Sequence, residues 1–322
     1  MKRANIEKEK KKKIVNLNHT NGDKNGSIDS ISSLELNSKH RNKERGGWNR
    51  LDNLSSTLQH YLQDHSMLDR EYTINDEKNQ ESRFSLGMIK DRLTHFAVST
   101  RINKVRNSVN KQKNNGEITF KFAQTKGTFL DQIMKHKDTS GGVCESISAH
   151  WISAHAKGKS IFSQLYVDGK KGKFHVDTLF SIKQLQMDGN KSSDQNRTTE
   201  DWLIEHGIQP RKGKEKFKEG DTGDKGTDSL IESICNPSGY KKISFFGKMA
   251  GHTVAAYVDD HKGITFFDPN FGEFKFPNHD SFINWFTQDF WTKSWYSKEI
   301  GLGEEFEVLN YIPEELGAIE NA

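Results

Sequence analysis

Three closely spaced segments in the second half of the chain, at residues 243–246, 252–258 and 264–276, alternate between apolar and other side chains. This feature constrains the fold most, because a period of two is typical of β-strands with one buried face. A helical pattern rich in aromatic residues follows at 282–295, and a last strand pattern at 306–312. We therefore predict an α+β domain built on an antiparallel sheet.

The N-terminal third differs from the rest in charge and in apolar content. Of the 322 residues, 32% are hydrophobic and 29% are charged, which is too little apolar material for the whole length to share one core. Residues 1–116 have a net charge of +9, from 23 Lys and Arg against 14 Asp and Glu. Because the strand-like alternation begins at Ile118, we predict a basic, largely disordered leader at 1–115 and a compact domain at 116–322.

Within the leader, residues 1–45 are expected to be disordered, whereas 51–68 and 84–96 show the apolar spacing of short helices. The run Lys10–Lys13 is of the kind that contacts the phosphates of acidic lipids or of nucleic acid, although short charge runs are usually just solvated. We keep acidic lipid as the candidate contact of the leader and expect no nucleic-acid partner. In the compact domain, the polar stretch 187–228 is expected to be a mobile surface loop that buries little.

The chain contains two cysteines, Cys144 and Cys235. Two cysteines in a chain of this length do not make a disulfide scaffold, so we expect both to be thiols. The apolar runs are far shorter than the ~18 to 20 residues that cross a bilayer. No apolar run follows the N-terminal charges, so we expect no ordinary cleaved signal peptide.

Cys144 directly follows the sequence Gly141-Gly142-Val143 and opens a segment, residues 144–156, with helical apolar spacing. The sulfur is therefore predicted at a helix N-terminus, where backbone N–H groups and the helix dipole favour the thiolate. Glycines before it let the chain turn sharply and leave room for a substrate backbone. Taken alone, the pattern favours a small buried cysteine in a helix over a nucleophile.

His252 and Asp268 flank a predicted β-hairpin whose turn we centre on Asp260. In that register Ala256 pairs with Ile264, and His252 lies directly opposite Asp268. Directly opposed side chains have Cβ atoms ~4.5–5.5 Å apart, so the carboxylate would accept from the imidazole and fix its tautomer. The competing interpretation is a hairpin that ends in two polar residues at a solvent edge, and a one-residue slip would separate the pair.

Together, Cys144, His252 and Asp268 supply a nucleophile, a base and an orienting acid in the order found in papain-like enzymes. His252 would withdraw the thiol proton and return it to the leaving amine, while Asp268 holds the imidazole. The backbone N–H of Cys144 supplies one donor of the oxyanion hole that such catalysis needs. We predict no metal and no cofactor, because His150 and His155 do not share a helix face with Cys144.

The same residues and their neighbours resemble the YopT/AvrPphB family of bacterial type III effector proteases. The resemblance runs from about Ile118 to Ile312, and its most specific part is the segment Asp268-Pro269-Asn270-Phe271-Gly272-Glu273-Phe274. It implies a papain-like fold in which a helix bearing the cysteine packs on an antiparallel sheet bearing His252 and Asp268. Papain-like enzymes have a Gln or Asn shortly before the nucleophile in the oxyanion hole, and here Asp138 is the candidate.

The resemblance also implies a biological setting. YopT-like enzymes cut Rho-family GTPases before a prenylated C-terminal cysteine, which releases them from membranes and disrupts the actin cytoskeleton. A monomer delivered by type III secretion would then act in the host cytoplasm, at the membrane, with a secretion chaperone on the leader. From Glu299 onward the chain has seven Glu and no Lys or Arg, a block able to attract the basic tail of such a substrate.

Three other functions stay open at this point. Other members of the family cut host kinases. The same triad also serves transglutaminases and deamidases, which pass the thioester to an amine or to water. A non-enzymatic anchor or nucleic-acid binder that works through the lysine-rich leader is the third. Trp285, Trp291 and Trp295 are expected to pack in the core rather than to bind nucleic acid or lipid, and Cys235 is expected to be structural.

Overall fold

The computed structural model describes residues 86–211, 217–221, 226–247, 251–296, 300–302 and 305–314. The predicted disorder at 1–45, the Lys10–Lys13 run, the helix at 51–68 and most of the acidic C-terminal block lie outside these residues. The helices are α1 (Leu86–Ser99), α2 (Ile102–Val109), α3 (Gly127–Ile133), α4 (Lys137–Ser140), α5 (Cys144–Ala156), α6 (Ile161–Leu165), α7 (Val176–Lys191), α8 (Gln195–Glu205), α9 (Gly226–Cys235), α10 (His279–Trp285) and α11 (Trp291–Lys293), with a π-helical turn at Phe286–Phe290.

Within the described ranges, eight strands form one antiparallel sheet. They are β1 (Glu117–Phe120), β2 (Ile208–Pro210), β3 (Phe217–Asp221), β4 (Gly239–Phe246), β5 (Gly251–Val258), β6 (Ile264–Asp268), β7 (Gly272–Phe276) and β8 (Glu305–Pro313). Their order across the sheet is β1-β7-β6-β5-β4-β8-β2, and β3 also pairs with β8. The strands predicted at 243–246, 252–258 and 306–312 are confirmed, as is the aromatic-rich helix that precedes the last of them.

The hairpin formed by β5 and β6 has a register that differs from the predicted one by two residues. Ala256 pairs with Phe266 rather than with Ile264, because five residues form the loop and its centre is His261. The Asp259 carboxylate accepts from two backbone N–H groups of the loop, at 2.8 Å each, which fixes this longer turn. A slip of two residues preserves the face on which each side chain lies, so His252 and Asp268 stay on one face but are diagonal rather than opposed.

The segment predicted as one strand at 264–276 is two strands, β6 and β7, joined by a tight turn. Phe271 N donates to Asp268 O at 3.0 Å across this turn. Gly272 follows with a φ of +116°, and a Cβ there would come within 2.4 Å of the carbonyl oxygen of Phe120. The Asp-Pro-Asn-Phe-Gly segment is therefore a turn whose glycine lets β1 approach closely.

Helices cover both faces of the sheet because its strands are apolar on both sides. On one face, Val254 and Phe266 pack with the aromatic residues of α10 and the π-helical turn. On the other face, Ala255 and Phe267 pack with Ile147 and Trp151 of α5, and α5 lies directly on β5. The predicted α+β, papain-like class, with the cysteine-bearing helix packed on an antiparallel sheet, is confirmed.

Two helices within the predicted leader belong to the compact core instead. Four apolar side chains of these helices are buried in the cluster that contains the sheet residues Val254 and Phe274. They are Val98 of α1 and Ile102, Val105 and Val109 of α2. Arg106 of α2 donates to Phe271 O at 2.7 Å and to Phe122 O at 2.6 Å. The packed part of the chain therefore starts before residue 116.

The polar stretch at 187–228 contains more structure than we expected for a surface loop. Its apolar island forms α8 and β2, in which Leu203 and Ile208 are buried. The Asp194 carboxylate accepts from Arg197 N at 2.9 Å and caps α8. Two buried residues of this island, Leu203 and Ile208, join the core cluster and anchor the segment. None of the helices in the described ranges is both long and apolar enough to span a bilayer.

Candidate active site

Cys144 begins α5, as the sequence predicted, and is partly exposed. Gly142, two residues earlier, has a φ of +123°, a backbone conformation that favours glycine. The rest of α5 from Glu145 to Ala154 is buried, so the thiol projects from the end of a helix that the fold holds rigidly. The N-terminal N–H groups of such a helix favour an anion beside them.

His252 and Asp268 lie near the ends of β5 and β6, and both side chains are buried. His252 Nε2 donates to Asp268 Oδ1 at 3.0 Å. The other ring nitrogen, Nδ1, is then the one available to the thiol of Cys144, which lies within hydrogen-bonding reach of the imidazole. The structure thus brings the three predicted residues together.

The surroundings of His252 favour its protonated form. Burial of the ring lowers its pKa, but the charge of Asp268, the hydrogen bond to Asp268 and the neighbouring Cys144 raise it, and the net effect is a pKa of about 10. The imidazole is therefore an imidazolium at neutral pH. An imidazolium beside a thiol favours the thiolate, which is the nucleophilic form of cysteine.

Tyr296 and Asn270 hold the acid. The Tyr296 hydroxyl lies 3.0 Å from Asp268 Oδ2 and 3.0 Å from His252 Nε2. Asn270 N donates to Asp268 Oδ1 at 2.7 Å, and Asn270 Nδ2 donates to the Tyr296 hydroxyl at 2.8 Å. Because these donors satisfy both carboxylate oxygens, Asp268 is fixed in position.

Gln124 lies on the other side of the thiol. Its Oε1 accepts from Val143 N at 2.9 Å, and its Nε2 donates to Asn270 Oδ1 at 3.0 Å. The side chain is buried and lines the same cavity as Cys144 and His252. A primary amide has two N–H bonds, so Nε2 keeps one for a group bound beside Cys144.

Asp138, the residue that we expected as second oxyanion donor, occupies a different setting. It is exposed on α4 and lies in the wall of a cavity beside Cys144, where its backbone oxygen accepts from Asn190 Nδ2 at 2.6 Å. An ionised carboxylate accepts hydrogen bonds and donates none. Gln124 is therefore the better placed donor, twenty residues before the cysteine rather than six.

A buried ion pair ties the start of α5 to the sheet. Lys242 of β4 donates to the Glu145 carboxylate and, at 2.9 Å, to Asn196 Oδ1. Thr253 Oγ1 donates to Glu145 Oε2 at 2.7 Å. Glu145 follows the thiol residue and Thr253 follows the imidazole residue, so this carboxylate links the two halves of the site directly.

Two cavities flank the pair formed by Cys144 and His252. The smaller, of about 270 Å³, has an apolar side made by Val98, Ile300 and Leu302. The larger, of about 540 Å³, is lined mainly by acids and amides, which include Asp91, Asp138, Glu145, Asp194, Gln186, Gln195, Asn190 and Asn196, and also by the cations Lys137 and His252. Acids therefore predominate in the larger cavity, whereas the smaller one combines an apolar side with Asp91, which lines both cavities.

The remaining candidates take structural positions. Burial raises the pKa of the Cys235 thiol to about 12, so that thiol is unreactive. His150 is buried, and its two ring nitrogens lie 2.7 Å from Ser146 O and 2.9 Å from Ser181 Oγ. Trp285 is buried in the core cluster, and Trp291 packs against that cluster.

Sequence reasoning missed Gln124, Asn270 and Tyr296 because their roles depend on contacts across 26 to 146 residues of chain. Asn270 lies in the segment that carried the family resemblance, which was the one available signal. Gln124 lies far from the spacing that papain-like enzymes suggest, and Tyr296 lies just beyond the helix predicted at 282–295.

Comparison with known proteins gives consistent matches. Residues 106–314 match the family of Yersinia and Haemophilus virulence surface antigens, Peptidase_C58. The chain is 48% identical over 279 residues to the cysteine protease yopT1 of Yersinia enterocolitica, covering 83% of this chain and 86% of that protein. It is 47% identical over 274 residues to the cysteine protease YopT of Yersinia pseudotuberculosis, covering 82% and 84% of the two chains.

Among solved structures, the YopT domain of the Pasteurella multocida PfhB2 toxin is 35% identical. That match covers 58% of this chain and 91% of the other, with a TM-score of 0.27. The family match covers well over half of the present chain, and the relatives are matched over most of their length. The chain therefore belongs to the Peptidase_C58 family and is a YopT-like cysteine protease of the virulence-effector class.

Proposed function

We propose that Cys144 is the nucleophile of this protease, with His252 as general acid and base and Asp268 as the residue that orients His252. The single observation that supports this most strongly is the buried His252–Asp268 hydrogen bond of 3.0 Å beside a thiol at a helix N-terminus. The thiolate attacks the scissile carbonyl, and the imidazolium protonates the leaving amine. A water molecule, deprotonated by the then neutral imidazole, hydrolyses the thioester.

We further propose that the oxyanion of each tetrahedral intermediate accepts from Cys144 N and Gln124 Nε2. Gln124 supports this role because its carbonyl oxygen is anchored by Val143 N, next to the nucleophile. Asn270 links Gln124 to the group around Asp268. A donor held before the reaction begins costs no reorganisation when negative charge develops.

The proposed substrates are host prenylated Rho-family GTPases, cut before the prenylated cysteine near their C-terminus. The cleft supports this substrate class, since Asp138 and Asp194 line the larger cavity, Asp91 lines both, and apolar residues form one side of the smaller cavity. Acids attract the basic tail that precedes the cysteine, and the apolar side suits a hydrocarbon group. Release of the GTPase from membranes would then disrupt the actin cytoskeleton.

The setting that goes with this substrate is delivery by type III secretion into the host cytoplasm. The leader at 1–115 is proposed to carry secretion and chaperone-binding signals, and its lysines to contact acidic lipid. We propose a monomer that works without a metal or a cofactor, since the triad and the two oxyanion donors supply the chemistry of hydrolysis.

The test is incubation of the protein with prenylated and unprenylated Rho-family GTPases, followed by mass spectrometry of the products. We expect two fragments from the prenylated protein, with the cut before the modified cysteine. Cys144→Ala, whose folding is checked by circular dichroism, is expected to leave the substrate intact. A mass change of about one dalton without cleavage would indicate deamidation by the same triad and would overturn proteolysis as the function.

A further inference from the structure

Two apolar side chains at the N-terminal end of α7 face solvent. Val176 is 77% exposed and Phe180 is 64% exposed, more than any other large hydrophobic side chain in the described ranges. They are four residues apart, so they project from the same face of the helix. The opposite face of α7 is buried through Ile182 and Leu185. A single exposed apolar residue is ordinary on a protein surface, so the surroundings of this pair decide its meaning.

A basic hairpin comes directly before the apolar pair. Val167 N donates to Lys173 O at 2.9 Å to close it, and its exposed cations are Lys170, Lys171 and Lys173. Its acids are only Asp168 and, just beyond, Asp177. Lys171 Nζ donates to Lys121 O at 2.6 Å, which brings Lys121 beside the hairpin.

Lys171 of this hairpin lies near two further cations, Arg106 and Lys121. Burial lowers the pKa of Lys171, and the charges of Arg106 and Lys121 lower it further. Within the described part of the chain, no carboxylate forms an ion pair with a lysine of the hairpin. Such a cluster gains from bound anions, because each neutralised cation relieves its neighbours.

We propose that the hairpin at 167–173 and the apolar pair Val176 and Phe180 form one docking surface for an anionic phospholipid bilayer. The lysines contact the headgroup phosphates, and the two apolar side chains enter the boundary between headgroups and acyl chains. This surface lies in the protease domain and is separate from the lysine-rich leader. The inference goes beyond the proposed substrate and does not depend on it.

Other occupants fit this surface less well. A second copy of the chain would bring two positive hairpins together, which is unfavourable. A stable protein partner usually needs some 20 to 30 residues on each side, whereas the apolar part here is two side chains. Nucleic acid would use the lysines but would leave Val176 and Phe180 without a role.

The experiment uses the full chain with an environment-sensitive fluorophore, nitrobenzoxadiazole, at a single new thiol. Phe180→Cys is labelled in a Cys144→Ser background, since the buried thiol of Cys235 is unreactive. The matched control carries the label at Ile204→Cys, a 36% exposed position on α8. Vesicles consist of phosphatidylcholine alone or of equal parts phosphatidylcholine and phosphatidylserine.

We expect the fluorescence of the label at position 180 to shift to the blue with the phosphatidylserine vesicles only. When those vesicles contain lipids with brominated acyl chains, the same fluorescence should be quenched. The label at position 204 should stay unquenched even where the leader holds the protein on the vesicle. The double substitution Lys170→Glu with Lys173→Glu should raise the lipid concentration needed for a half-maximal fluorescence shift by at least about tenfold. Lys191→Glu with Lys262→Glu, which changes the net charge equally, should leave it nearly unchanged.

Three results would overturn the proposal. One is an unshifted label at position 180 in phosphatidylserine vesicles, with circular dichroism showing an intact fold. Another is an equal shift in pure phosphatidylcholine, which would remove the role of the lysines. The last is an equal effect on lipid binding of the two double substitutions, Lys170→Glu with Lys173→Glu and Lys191→Glu with Lys262→Glu. That result would show that only net charge matters.

Discussion

At the scale of single residues, His252 shows how a buried ring is kept charged. Burial alone would make the imidazole neutral, but Asp268 lies 3.0 Å away and overcomes that effect. Asp268 in turn depends on donors from Asn270 and Tyr296. His252, the proposed base, therefore belongs to a group of four residues with Asp268, Asn270 and Tyr296, of which His252 and Asp268 were visible in the sequence pattern.

We expect the basic limb of the pH profile of kcat/KM to lie near pH 10 rather than near 6.5, because the folded pKa of His252 is about 10. The imidazolium persists below that pH and is lost as the pH rises through it. Asp268→Asn removes the charge that raises the pKa, so its basic limb should move towards neutral pH. The pH dependence of activity on a fluorogenic substrate, together with titration of the imidazole followed by NMR, measures the basic limb of both proteins. A basic limb near pH 6.5 in the wild-type protein would contradict the raised pKa of His252.

We expect Gln124→Glu to lower kcat by about 10²- to 10³-fold with little change in KM, because one oxyanion donor is worth that much. The glutamate keeps the oxygen that accepts from Val143 N, so the loop before Cys144 should hold. Steady-state kinetics measures the effect, and Gln184→Glu on the exposed side of α7 is the control. A Gln124→Glu enzyme with wild-type kcat would exclude the amide from the oxyanion hole.

At the scale of elements, the placement of α5 on the sheet depends on the Lys242–Glu145 pair. We expect Lys242→Met to lower the free energy of unfolding by about 3–5 kcal/mol, because it leaves the buried Glu145 charge unpaired. The double variant Lys242→Met with Glu145→Gln should recover most of that loss. Urea unfolding of the three proteins measures it.

The control for this prediction is an exposed pair. Arg197 and Asp201 on α8 have side chains that are 73% and 55% exposed, so Arg197→Ala should change the free energy of unfolding by less than about 1 kcal/mol. If Lys242→Met and Arg197→Ala lower the free energy of unfolding equally, burial of the Lys242–Glu145 pair does not increase its contribution to stability.

At the scale of the whole molecule, the position of the domain boundary is the open question. We expect a chain without residues 1–85 to unfold cooperatively like the full chain, and one without residues 1–115 not to fold. The longer deletion removes four buried apolar side chains of α1 and α2. Burial of each such side chain contributes ~1.5–3 kcal/mol to stability. The combined loss is therefore comparable with the total stability of a domain, which is about 5–15 kcal/mol.

Thermal denaturation followed by circular dichroism tests both truncations. A cooperative unfolding transition in the chain that starts at residue 116 would support the domain boundary predicted from the sequence. The family match begins at residue 106, inside α2, so a third chain that starts at residue 100 would separate the contributions of α1 and α2.

The sequence by itself determined the features that depend on near neighbours along the chain. Local patterns predicted the strands β4, β5 and β8 from their alternation. They also predicted the turn at the glycines before Cys144 and the helix that starts at Cys144. Each of these predictions was correct. The face shared by His252 and Asp268 was also predictable, because a two-residue error in register does not change the face.

Only the tertiary structure decided the rest. The register of β5 against β6 depended on hydrogen bonds inside a five-residue loop. The position of Gln124 beside Cys144, and the burial of α1 and α2, depended on packing between distant segments. Local propensities carry no information on which distant groups meet, since those contacts are chosen by shape and by the satisfaction of buried polar groups.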